Sequence, residues 1–542
     1  MRKLVALFLL ALALGGCHRR ETPVEIGNRE QIFHLGNGSE PRDLDPHTAV
    51  SVTESNILSA LFEGLVNNSP DGHSIVPGAA ERWDVSPDGR VYTFHLRPGL
   101  KWSNGDALTS ADFLYSFRRI IEPKLGGELS IYCDWVVGGQ DYREGKTTDL
   151  QTVGFAAPDP LTFVTTLKER SPFWLALLSQ NPFYPVHRAT LEKFDAYLRR
   201  DGAWTRPGVL VSNGPFQLKA WRVNEFVAAE KNARYWDAAH VRLRQVVFHP
   251  IDNLDAEERA FRGGLLHATR YLSTVKLDGY RTAHPAEVHS DPLVQTKYIA
   301  LNVTRAPFND ERVRQAFALA LDRAALVNDV LRDGSRAADS FTVPGTGVSA
   351  PYSARTRLPR DPEKARALLA EAGFPGGKGF PPMTFHFTTA HQGEQALVEA
   401  LQAMWQRELG VHVDLITQEE KVWLDTLRTR NFQMLMDGWT GINDPVDLLQ
   451  LMLSTSPNND TQWVSPEYDR EFAAAGKSTS DTEREGHLQA MDAALADKVP
   501  IIPLYHQNQS YLVQPSVHGW VDNLLGWRRY QDYWLEAGGE KK

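Results

Sequence analysis

Cysteine is almost missing from this chain: 542 residues contain two, Cys17 and Cys133. With Cys17 committed elsewhere, as argued below, one thiol cannot form an internal disulfide. No histidine adjoins Cys133 and its one acidic neighbour is Asp134, so it reads as a buried structural thiol and not as a nucleophile. Catalytic signatures are also lacking. There is no G-x-S-x-G elbow and no H-E-x-x-H pair. The glycine-rich GFPGGKGF (373–380) lacks both the phosphate-loop spacing and a Ser or Thr after Lys378; it reads as a helix-ending loop. The 17 histidines show no metal-ligand spacing, and His386 and His391, on a strand and the turn after it, have no third ligand near them in sequence. Carboxylates are plentiful, but nothing in their spacing singles out a glycosidase pair. Net charge is -9 without any Lys/Arg cluster of binding size, which argues against nucleic acid as a partner. Beyond the N-terminus no stretch reaches the roughly 18 apolar residues of a membrane-crossing helix, and neither an internal repeat nor a low-complexity linker is present.

What is present begins at the N-terminus. Arg2-Lys3 precede an apolar run, Leu4 to Leu14, too short to span a bilayer and of signal-peptide form. Leu14-Gly15-Gly16-Cys17 resembles a bacterial lipobox, so residues 1–16 are expected to be removed and Cys17 to carry lipid that anchors the protein in the cell envelope. Further on, the length suggests three or so domains at roughly 150 residues each. WDVS and RVYTFHL flank Pro87-Asp88-Gly89 and read as a hairpin. Thr109 with Asp112 three residues on forms a capping pattern before a helix with Phe113, Phe117 and Ile120 inward. Asn309 is expected to cap another helix. Asp361, Pro362 and Gly373 mark cap, first residue and end of a third. From PMTFHFTT (382–389) the pattern runs strand, helix (392–409), strand (411–416), helix (419–429), strand (431–436), which predicts βαβ units and a mostly parallel sheet.

Aromatics are abundant: 14 Trp, 16 Tyr and 24 Phe. Most belong to cores, but with catalytic motifs missing the excess suits a broad cleft that binds without reacting. The stretch MDGWTGINDP (436–445) puts an indole just past the carboxyl end of a strand, where open α/β sheets bind ligands.

Residues 80–120, AERWDVSPDGRVYTFHLRPGLKWSNGDALTSADFLYSFRRI, closely resemble the signature of the bacterial extracellular solute-binding proteins of family 5. LDPHTAVSVTESNILSALFEGL (44–65), SNGPFQLKAW (212–221), NARYWD (232–237), APFNDERVRQAFALALDR (306–323) and PLYHQNQSYLV (503–513) are similar to its other landmarks, in the same order. The likeness covers nearly all of residues 30–535. It implies an α/β fold of the periplasmic binding protein-like type II: lobe I from 25–62, 184–289 and 507–542, a smaller inserted lobe II at 63–183, and lobe III at 290–506. It implies a non-enzymatic, cofactor-free, monomeric substrate-binding protein that closes on a peptide and delivers it to an ABC permease with ATPase subunits. The peptide is expected to pair its main chain with Gly438-Trp439-Thr440 on one side and Val50-Ser51-Val52 on the other, with Arg270 and Tyr271 as a further ligand-facing pair. The same fold also hosts binders of glycosides, opines or metal chelates, and a periplasmic sensor or chaperone-like role is a third reading.

The sequence departs from the family where the charged ends of a ligand would be held. Peptide binders that it resembles carry an aspartate three residues after the tryptophan to hold the ligand ammonium; here that residue is Ile442. Asp437 and Asp444 are the nearby replacements. The positions matching ligand-carboxylate arginines are Leu427 and Met436, with Arg428 and Arg430 close by. The expectation is a ligand held mainly by backbone pairing and apolar pockets.

Overall fold

The computed structural model of the chain describes residues 21–171, 173–200, 202–347, 351–388, 393–478 and 480–537. The expected signal peptide, Cys17 with its expected lipid, and His391 lie outside them. Three sheets organise the rest. In the first, Ile32–Gly36 pairs in parallel with Gln245–His249, which continues antiparallel to Phe226–Lys231 and then Phe216–Arg222. The second is an antiparallel four-stranded sheet, Ala80–Val85, Val91–Leu96, Thr162–Thr166 and Phe155–Asp159 in spatial order. Its first hairpin turns at Gly89, whose φ of +70° a residue with a Cβ would resist. Tyr92, Phe94 and Leu96 are buried, as their alternation predicts. The helix Ser110–Ile120 follows; the Thr109 N–H donates to Asp112 at 2.8 Å, and Phe113, Phe117 and Ile120 face the core.

The third sheet has six strands in the order Arg336–Ala337, Ile501–Leu512, Val288–Leu301, Met434–Thr440, Thr384–Thr388 and Asp414–Gln418. It is mixed, which corrects the expectation of a mostly parallel sheet. The βαβ units are real: Thr384–Thr388 is parallel to both neighbours, with helices Glu394–Leu409 and Glu420–Thr429 as crossovers. Val288–Leu301, however, is antiparallel to Met434–Thr440 and to Ile501–Leu512. These two long strands run past the third sheet to the segment bridged to the first sheet at Ala268, where Thr269 and Leu512 exchange hydrogen bonds. Asp361 caps Pro362–Glu371 as expected; Asp310, not Asn309, caps Glu311–Leu319, its side chain accepting the Arg312 N–H.

The strand Met434–Thr440 sits between two cores. Met434 and Met436 pack with Phe385, Trp405 and Ile299 on one face, while Leu435 lies with Tyr298 and Leu448 on the other. The second core continues into the Phe94, Phe117 and Trp174 cluster of the second sheet. Among the described residues no helix is long and apolar enough to cross a membrane.

Candidate ligand-binding cleft

The strand bearing the indole is longer than its sequence pattern suggests. Pairing with Val288–Leu301 continues through Trp439↔Thr296 and Thr440↔Gln295, so Gly438-Trp439-Thr440 is strand and not loop. On the opposite side, Thr384–Thr388 pairs with Met434 and Leu435 only. From Met436 to Thr440 that edge meets no strand among the described residues. Gly438 lies directly over Lys297: a Cβ there would come within 2.6 Å of the Lys297 Cδ, and Lys297 is held by buried Glu394 at 3.4 Å. A side chain at 438 would displace that pair.

A cavity of about 650 Å³ opens at the end of this strand. Trp439, Thr440, Gly441, Ile442, Asp447 and Gln450 form one wall. Val50, Val52, Ser55 and Asn56 form a second. Ile131, Tyr132 and Trp135, from the short helix Glu128–Trp135, form a third, and Leu525 and Trp527 close it. Val50, Val52 and Ile131 are each about half exposed, at 53%, 54% and 50%. Aliphatic side chains left open together on facing walls mark a binding surface.

The second wall is held from behind. Arg119 pairs with Asp45 at 2.6 Å, both fully buried, and Asn181 donates to the carbonyls of Pro46 and Ala49 at 3.0 and 3.2 Å. Residues 50–52 lie at a helix start: Ser51, in extended backbone, caps the helix Val52–Leu61, its hydroxyl accepting the Glu54 N–H. Val50 and Val52 reach the cavity and Ser51 does not. Arg270 and Tyr271 lie beside this wall, outside the cavity lining. The Arg270 guanidinium contacts Thr53 at 3.3 Å and stacks over Tyr271, while the Arg270 backbone N–H donates to Glu257, a carboxyl that burial raises to about 7.

The two acids expected to replace the missing aspartate are turned away. Asp437 is buried behind the strand, accepting the Tyr298 hydroxyl at 2.9 Å and the Gly438 N–H at 2.7 Å; burial pushes its carboxyl above the usual range. Asp444, 1% exposed, caps Pro445–Leu449 by accepting the Val446 N–H and pairs with Arg484 at 2.6 Å. Ile442 lines the cavity but brings no acceptor. Met436 is core, and Arg430 donates to the Pro457 carbonyl at 3.3 Å.

The acid that does reach the cavity is Asp447. Its Oδ2 accepts the Trp439 indole N–H at 3.1 Å and the Ile442 N–H at 3.4 Å; its Oδ1 accepts Gln450 at 2.9 Å. Burial raises its carboxyl to about 6. Tyr132, across the cavity, is pushed up to about 12, by burial and then by the Asp447 charge. Sequence reasoning missed Asp447 because an acid in the first turn of a helix is ordinary dipole chemistry. It missed Tyr132 and Trp135 because nothing in their spacing separates them from core aromatics. Among the described residues no three His, Cys, Asp or Glu side chains could hold a metal ion together.

With this geometry in view, comparisons with known proteins agree. Residues 74–460 match "Bacterial extracellular solute-binding proteins, family 5 Middle". The periplasmic oligopeptide-binding protein OppA of Salmonella typhimurium is 36% identical over 92% of this chain and 91% of its own. The unliganded open form of the murein tripeptide binding protein MppA superposes with a TM-score of 0.81 at 30% identity, covering 93% of this chain and 97% of that one. The Haemophilus influenzae OppA complex with RPPGFSPFR gives 0.74 at 28% identity, covering 93% and 99%. The chain belongs to the bacterial extracellular solute-binding proteins of family 5, a family of binders and not enzymes, and has the mixed α/β type II architecture of the periplasmic peptide-binding proteins.

Proposed function

We propose that this chain is the substrate-binding protein of an ABC importer and that it captures peptides in the cleft beside Trp439. The observation that carries the reading is the strand edge from Met436 to Thr440, which meets no strand among the described residues and ends at the cavity, its Gly438 N–H and Met436 carbonyl held only by the Asp437 and Trp423 side chains. An edge of this kind offers alternating N–H and C=O groups to another extended chain. Pairing through the main chain is indifferent to ligand sequence, and the aliphatic and aromatic walls accept varied side chains. Relatives named as oligopeptide- and murein-peptide-binding proteins support the ligand class. On this reading the lobes divide as 25–62, 184–289 and 507–542; 63–183; and 290–506. The Val288–Leu301 and Ile501–Leu512 strands then act as the hinge, Cys17 carries the lipid anchor, and the monomer hands its ligand to a permease driven by ATPase subunits.

The test is to purify the secreted protein from its host under native conditions and release bound material for mass spectrometry, with calorimetry against peptides of two to nine residues. Recovered peptides and micromolar or tighter binding are the expected result. Recovery of a non-peptide ligand together with no heat from any peptide would replace the reading.

A further inference from the structure

One carboxylate in the cleft wall has no cation to answer it. Asp447 receives three hydrogen bonds, all from neutral donors: the Trp439 indole, the Ile442 amide and the Gln450 side chain. The acid Asp444 raises it further, and among the described residues no Lys, Arg or His lies within ion-pair distance of it. Neighbouring acids are treated differently. Asp444 has Arg484 at 2.6 Å, and Asp460 has Arg430 at 3.8 Å. An ionised carboxylate partly removed from water without a counter-ion is unfavourable unless something arrives to pair with it.

A purely structural role does not account for the arrangement. The helix Pro445–Leu449 already has its cap in Asp444, which accepts the Val446 N–H at 2.9 Å. A carboxylate offers about four acceptor sites, so three donors leave one open, and Asp447 is part of the cavity wall. The same cavity is lined by three aromatic rings, Trp439, whose indole N–H Asp447 already accepts, and Tyr132 and Trp135. Aromatic faces attract cations and repel anions. A compact, strongly donating cation suits this setting, and a second carboxylate or a bulky apolar group does not.

We propose that Asp447 anchors an ammonium group of the ligand, fixing one end of an extended peptide beside Trp439 so that its main chain runs along the Met436–Thr440 edge. This rests on the peptide reading and deepens it, and it replaces the expectation of a ligand held by backbone and apolar contacts alone. The ammonium can come from the N-terminus of a peptide or from a lysine side chain, and the test separates the two.

Binding is measured by calorimetry for wild type, Asp447→Asn and Asp447→Glu, each against three matched pentapeptides: one with a free N-terminus and no lysine, the same peptide N-acetylated, and the acetylated peptide with one lysine. For wild type, acetylation is expected to weaken binding by about 100-fold, the loss typical when one partner of a desolvated pair is removed. In Asp447→Asn the free and acetylated peptides should differ by less than about 5-fold, and Asp447→Glu should restore part of the gap. Full affinity for the acetylated lysine peptide would assign the lysine as the source; loss of that peptide too would assign the N-terminus. Equal affinity of wild type for all three peptides would overturn the proposal while leaving the peptide reading intact, and this comparison does not depend on the variants folding. Failure of wild type to bind any of the three peptides would remove both.

Discussion

Trp439 and Asp447 together show what a single residue could and could not disclose. The indole was legible: a large aromatic in a glycine-rich stretch at a strand end has few uses besides lining a site. Asp447 was not, because its meaning lies in what fails to surround it, and that is a property of the folded wall. The same isolation makes a prediction about stability. The folded-state value of Asp447 is raised to about 6 from an ordinary 3.8, so the folded protein holds the proton more tightly than the unfolded chain. The penalty for ionising it is therefore fully present above pH 6 and fades as pH falls towards 4. Asparagine never ionises. In the absence of ligand, Asp447→Asn should stabilise the protein by about 1–3 kcal/mol at pH 8 and by almost nothing at pH 4, measured by denaturant unfolding at both. A loss of stability at pH 8 would mean that the carboxylate serves the fold and not the ligand.

At the scale of elements, the hairpin at 83–97, the Thr109–Asp112 pair, the Asp361 cap and the βαβ run from 384 to 440 could all be read from periodicity and capping chemistry, since each is decided by residues close in sequence. Strand direction at Val288–Leu301 was not legible, because both its partner strands lie far off in sequence. Nor was the helix start at Ser51, which the Ser51–Glu54 cap decides. The element that carries the proposed binding mode is the half-paired Met434–Thr440 strand. Along a strand, hydrogen-bonding groups point alternately to the two sides, so a paired ligand presents only every second amide to it. Methylating ligand amides one at a time should weaken binding by about 2- to 10-fold at alternate positions and leave the intervening ones almost unchanged. A ligand indifferent to methylation at every position would not be pairing its main chain with this edge.

For the molecule as a whole, the order of the bodies along the chain is carried by the likeness to family 5, but the point where they meet depends on contacts no local pattern announces. Asn443 donates from one side-chain nitrogen to the Gly72 carbonyl at 3.0 Å, 371 residues away, and to the His73 carbonyl at 3.2 Å. Its oxygen accepts the Gly347 N–H at 2.8 Å. The neighbouring Asp71 carbonyl accepts the Leu524 N–H at 3.1 Å, and the Leu524 carbonyl accepts the Val294 N–H at 3.2 Å. The turn at residues 69–74, the C-terminal segment and the Val288–Leu301 strand are thus tied through one short chain of hydrogen bonds. Arg170 makes a separate bridge to the Ser478 carbonyl. If closure pivots where these segments join, Asn443 governs how long the cleft stays shut and not how quickly a ligand finds it. Removing its donors forfeits about 1 kcal/mol for each bond. Asn443→Ala should therefore release bound peptide about 10-fold faster, with an association rate within about 2-fold of wild type, as read by stopped-flow tryptophan fluorescence. A slower association at unchanged release would place the pivot elsewhere, because it would mean that the open state, and not the closed one, depends on this tie.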